Sequence, residues 1–133
     1  MNDFDRLIDR WRLVVNHTTV ELSEVDDAAA RRRPAPGKWS IKEIIGHLID
    51  SASNNHRRFV EAQGKDDLIC QGYAQDDWVQ FQRYQDAPLT DLLGLWAAIP
   101  VVGFFEVLAG GGVCERAAAQ TGKKEKRFHD DVP

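Results

Sequence analysis

Ser40 and Glu43 stand at S-x-x-E spacing just ahead of a long run of helically spaced apolar residues. This string, WSIKEIIGHLIDSASNNHRRF, constrains the fold more than any other part of the chain. At that spacing the serine hydroxyl and the glutamate carboxylate each satisfy the other residue's free backbone N–H, which gives the helix a defined start. Trp39 and Ile44 occupy the two positions of a hydrophobic staple across the same turn. Projected at about 100° per residue, Ile41, Ile44, Ile45, Leu48, Ala52 and Phe59 share one face. His47 falls on the edge of that face beside Ser51 and Asn54, and His56 falls inside it. The two histidines project about half a turn apart around the helix, so an unbroken helix cannot bring them to one metal ion. Gln63-Gly64-Lys65 ends the segment. Read from the residues alone, His47 is either a border histidine making one hydrogen bond or a metal ligand facing a pocket.

Two further helices flank this one. From Phe4, the residues Leu7, Ile8, Trp11, Val14, Val15, Leu22 and Val25 recur at three- and four-residue steps, which predicts an amphipathic first helix fading near Asp26-Asp27. RRRPAPGK cannot continue it, and its arginines read as a solvated linker beside those aspartates. GYAQDDWVQFQRYQDAP reads as a long connection with a short helical or irregular aromatic stretch through Trp78, Phe81 and Tyr84, in which Trp78 and Tyr73 border a pocket or cap the bundle end. Pro88 suits a first helical turn, and Leu92, Leu93, Leu95, Trp96 and Ile99 begin a third amphipathic helix that Pro100 interrupts. Beyond it lie a glycine triplet and a charge-rich tail, with no fourth amphipathic segment from about residue 100 to 133. The expectation is a single all-α domain over 1–133, an antiparallel bundle with an atypical end.

The chain has 133 residues, 17 Lys and Arg against 21 Asp and Glu, and a formal net charge of -4, so no global positive field favours nucleic acid as a partner. Cys70 and Cys114 form no C-x-x-C pair, which suits reduced thiols and a cytoplasmic location. The acids and arginines of MNDFDRLIDRW are unlike a secretory signal. LLGLWAAIPVVGFFEVLAGGGV is apolar over a bilayer's length, yet Pro100, Glu106 and its glycines favour a core-facing helix, so no membrane partner is expected. His17 is expected to face solvent. Asp50, one turn after His47, is either an acceptor supporting that ring or a solvent-facing carboxylate.

GKWSIKEIIGHLIDSASNNHRRFVEAQ, then GYAQDDWVQFQRYQDAP, then LLGLW, resemble in order the DinB-like family of bacterial helical proteins, over about Pro34 to Trp96. The resemblance implies an all-α four-helix up-down bundle, here with its fourth helix missing or degenerate. It also implies a metal-dependent hydrolase or thiol transferase acting on a small molecule, commonly as a homodimer. Nickel or zinc would be held by three histidines, and His47 matches the first. Three imidazoles would leave one position open for water or a thiolate. The family's other two ligands form H-x-x-x-H, which this sequence lacks; after His56 the one remaining histidine is His129, in RFHDD. Three readings follow: a divergent, truncated or frame-altered end; a site repaired by His129 with Asp130 or Asp131; or loss of the metal and, with two ligands missing, of activity. No catalytic base can be named from the residues. The rival class is a non-catalytic helical module that dimerises through the apolar surface around Leu92 to Phe105.

Overall fold

The computed structural model describes residues 3–65 and 69–99. They form five α-helices and no strand: α1 (Asp3–Ser23), α2 (Asp27–Arg31), α3 (Ile41–Gln63), α4 (Gln75–Gln82) and α5 (Leu89–Ala98), with a 3-10 turn at Tyr84–Asp86 between the last two. Helix α5 packs against both α1 and α3, while α2, α4 and the 3-10 turn lie on α3. The three long segments and the helical aromatic stretch thus agree with the sequence. Helix α2 was not expected: Asp26 caps it, accepting from the Ala29 N–H at 3.2 Å. No described helix is long and apolar enough to cross a membrane. Pro100, the glycine triplet, Cys114 and His129 lie outside the described residues.

The core joins Val15, Ala30, Ile45, Ile49, Val79, Tyr84, Leu89, Leu92, Leu93 and Trp96. On α5, Leu89, Leu92, Leu93 and Trp96 follow the i, i+3, i+4, i+7 pattern and all turn inward. Three residues of the expected docking surface, Leu92, Leu93 and Trp96, are thus buried within this chain, while Leu95 is exposed and the part from 100 to 105 lies outside the described residues. The stripe on α1 is narrower than the pattern suggested: Ile8 and Val15 are buried, whereas Leu7 and Val14 are exposed.

On α3 the buried face is not the one that counting apolar residues selects. Lys42, Ile45, Gly46, Ile49 and Asp50 turn inward, while Ile44 and Leu48 are exposed among the described residues. Polar residues are tolerated on the inner face because each has a partner there. Lys42 has no exposed surface, and its Nζ donates to Asp27 Oδ2 at 2.8 Å and to the Ala87 carbonyl at 2.6 Å. The other Asp27 oxygen accepts the Leu89 N–H at 2.9 Å. Pro88 provides no side-chain cap to α5. The carboxylate that satisfies its first N–H comes instead from α2, some sixty residues earlier in sequence.

The capping box at Ser40 and Glu43 forms as expected. Glu43 also pairs with Arg33, whose Nε donates to Oε2 at 3.0 Å, so the arginine run is not simply a solvated linker. The Arg33 guanidinium, followed by the Ser40 N–H, holds the Glu43 carboxyl below the usual carboxylate range, against the opposing effect of burial. A carboxylate favoured in the folded state stabilises it above its unfolded pKa, about 4.3, and that contribution disappears as pH falls through the lower folded value. Urea titrations from pH 6 into the acid range should therefore show stability falling, and Glu43→Gln should flatten that acid limb. An unchanged limb in the variant would remove Glu43 from the explanation.

Candidate functional site

His47 sits on the second turn of α3, half-buried, between an aromatic ring and two hydroxyls. The capping box fixes where α3 begins and so places Trp39 against it, the two ring centroids being 4.9 Å apart and tilted by 44°. Ile44 is exposed, so Trp39 covers the His47 ring rather than closing a tightly buried staple. One turn on, Ser51 Oγ lies 3.4 Å from His47 Nε2, at the long end of hydrogen bonding. Tyr73, from the segment after α3, places its hydroxyl 2.9 Å from Ser51 Oγ, and its ring leans on Trp78 at 5.0 Å. The sequence sets Ser51 beside His47, and Tyr73 and Trp78 either at a pocket border or at the bundle end; the hydroxyl link between Ser51 and Tyr73 has no sequence signal, because it joins residues separated by a helix end.

The other imidazole nitrogen, Nδ1, is covered and has no hydrogen-bond partner among the described residues. In one neutral tautomer it is a buried lone pair without a donor, and in the other a buried N–H without an acceptor. Leaving such an atom unmade costs about 1–3 kcal/mol. His47 is therefore not a fully satisfied border histidine.

Asp50 neither supports His47 nor faces water. It is buried, and its Oδ1 accepts the Tyr84 hydroxyl at 2.7 Å and, more weakly, Gln82 Nε2 at 3.4 Å. Burial, then the nearby Asp50 carboxylate, pushes the Tyr84 hydroxyl well above its ordinary value, so it remains a proton donor. The ring reaches Asp50 by crossing α3 directly over Gly46, where a Cβ atom would lie 2.0 Å from Tyr84 Cδ2. The glycine one position before His47 was the available signal for this approach.

None of the other described candidates joins His47. His56 is half-buried farther along α3, and His17 is exposed beside Glu21, 3.3 Å from its carboxylate. Cys70 is an exposed free thiol. No group of three His, Cys, Asp or Glu side chains comes together among the described residues. A metal-bound histidine ordinarily gives its second N–H to an acceptor, and Nδ1 has none here. The described residues thus contribute one imidazole and do not by themselves make a metal site; His129 lies outside them.

Comparison with known proteins adds two findings. A family model described as the DinB superfamily matches residues 3–100. A protein of Bacillus mycoides (strain KBAB4) named "Putative metal-dependent hydrolase" is 22% identical over 80 residues, covering 57% of this chain and 46% of that relative. The match therefore spans less than half of the relative's own length. No solved structure matches.

Proposed function

The chain belongs to the DinB superfamily, and from that premise we propose that it is a metal-dependent protein of hydrolase type acting on a small molecule, with His47 as its first metal donor. The observation that carries this reading is the state of the His47 ring. Among the described residues its Nε2 is held only by the Ser51 hydroxyl at 3.4 Å, itself joined to Tyr73, with Trp39 against the ring, so Nε2 is the nitrogen that would meet a metal ion. The named relative supports the metal-dependent, hydrolytic class. The other donors would come from outside the described residues, with His129 the remaining imidazole of this sequence. A divalent ion such as zinc or nickel would lower the pKa of bound water or thiol. Ser51 and Tyr73 would set the rotation of the ring, and Trp39 would shield one face from water. Thiol transfer is the finer alternative within the same reading, distinguished by whether activity on an electrophile requires an added thiol.

The test is elemental analysis after loading with zinc or nickel and exhaustive dialysis. Wild-type protein should retain close to one ion per chain, His47→Ala should lose at least about nine-tenths of it, and His129→Ala should also lose affinity. Retention of the ion in His47→Ala, or a wild type that keeps none, would sink the reading.

A second reading, a helical module that dimerises, now rests on α1 rather than α5. Leu7, Leu13, Val14 and Val20 are each more than half exposed there among the described residues. Light scattering of Leu13→Glu/Val20→Glu beside the wild type tests it. A dimer that becomes monomeric supports this face as the contact, and a wild-type monomer dismisses the reading.

A further inference from the structure

Beside Trp39, the loop before α3, Glu43 of α3, the α4 segment and the 3-10 turn enclose a cleft of about 570 Å³. Its volume lies within the range of small-molecule sites. Val79 and Tyr84 give it an apolar floor, and Trp39 gives it a flat wall. A shallower hollow adjoins it and shares Gly37, Lys38, Trp39 and Asp76, so these residues border one continuous depression.

The charges around this depression sort into two kinds. Arg33 is bound to Glu43, and Arg83 to Asp86 through Nε at 2.9 Å, so both cations are already neutralised by their own neighbours. Lys38, from the loop, and Asp76, from the first turn of α4, also line the cleft, but among the described residues neither side chain has a hydrogen-bond or ion-pair partner, and they do not pair with each other. One uncommitted cation and one uncommitted carboxylate thus face the same space beside an indole ring. A purely anionic guest would leave Asp76 repelling it, and a purely cationic guest would meet Lys38 in the same way. A ligand with both charges and an apolar or planar body answers all three features.

We propose that the Trp39 cleft binds a small zwitterion with an apolar or aromatic body, of the α-amino acid class, its carboxylate toward Lys38, its ammonium toward Asp76 and its body against Trp39. The inference does not depend on metal at His47, since no residue of the charge pair belongs to that ring's surroundings. Trp39 is nonetheless common to both, contacting His47 and lining the cleft.

Three probes that share a phenylethyl body and carry both charged groups, the carboxylate alone or the ammonium alone provide the test: L-phenylalanine, 3-phenylpropionate and phenethylamine, each titrated into the full chain and followed by amide and indole NMR shifts. L-phenylalanine should bind saturably, shifting the Trp39 indole and the Lys38 and Asp76 amides, and each single-charge probe should bind about tenfold more weakly or worse. Lys38→Met should weaken L-phenylalanine and 3-phenylpropionate but not phenethylamine, and Asp76→Asn should weaken L-phenylalanine and phenethylamine but not 3-phenylpropionate. Both residues are exposed, so unchanged thermal melting will show that neither variant acts through folding. Absence of saturable binding by all three probes overturns the proposal. So does equal affinity for the three with no effect of either variant, which would mean nonspecific apolar contact with the indole.

Discussion

Gly46→Ala is expected to lower folding stability by about 3 kcal/mol or more, through overpacking combined with loss of a buried hydrogen bond. The added methyl would stand 2.0, 2.3 and 2.4 Å from Tyr84 Cδ2, Cγ and Cε2, distances no packed structure sustains. Tyr84 cannot rotate away cheaply, because it is only 8% exposed and belongs to the core. Moving its ring would also withdraw the hydroxyl from Asp50 and leave a buried carboxylate with only the longer Gln82 contact. Urea denaturation of both proteins measures the loss. A double-mutant cycle with Tyr84→Ala identifies its cause: once the ring is gone, Gly46→Ala should cost little, so the two effects should fall well short of adding. If they add fully, the close approach is not why this position needs glycine.

Lys42→Ala should be the other severe change, costing about 2–5 kcal/mol, the range for truncating a large buried side chain, since the half-exposed Asp27 left behind can be solvated. Its side chain is fully enclosed, so truncation removes packed methylenes and leaves the Ala87 carbonyl without its donor. The consequence should also travel. Asp27 is held between Lys42 and the start of α5, and the Lys42 ammonium, followed by the Leu89 N–H, keeps the Asp27 carboxyl below its ordinary pKa. Without the ammonium, Asp27 is freer to turn toward water, and the Leu89 amide should lose protection in hydrogen exchange. Lys42→Met, which keeps most of the packing and removes the charge, should fall between wild type and Lys42→Ala. Undiminished Leu89 protection in both variants would mean that Lys42 does not organise the α5 cap.

The parts of the fold that were legible are those fixed by neighbours in sequence. The Ser40–Glu43 box, the stop at Gly64 and the start of α5 after Pro88 all appear where short-range backbone chemistry puts them. The inward face of α3 was misread because the apolar count favours Ile44 and Leu48, whereas the helix buries Lys42, Gly46 and Asp50 beside Ile45 and Ile49. Those inner positions do keep helical spacing, but a polar or glycine residue enters such a pattern only if a partner or a close neighbour is known. For the same reason Asp50 could not be read as a buried acceptor before Tyr84 was seen above Gly46. His47 was placed correctly on the border of the helix, next to Ser51; its covered Nδ1 and the Tyr73 hydroxyl beyond Ser51 were not visible in the string.

The sequence by itself determined where α3 begins and ends, and the family motifs that single out His47, because both depend on residues a few positions apart. The tertiary structure alone decided which faces turn inward and which charges remain uncommitted. Lys42 can be buried because Asp27 and Ala87 arrive from 15 residues before it and 45 after, and Asp50 because Tyr84 arrives from 34 residues away. The free energy of burying a charged or polar group is set by such partners, and their arrival is a property of the packed chain rather than of any local stretch.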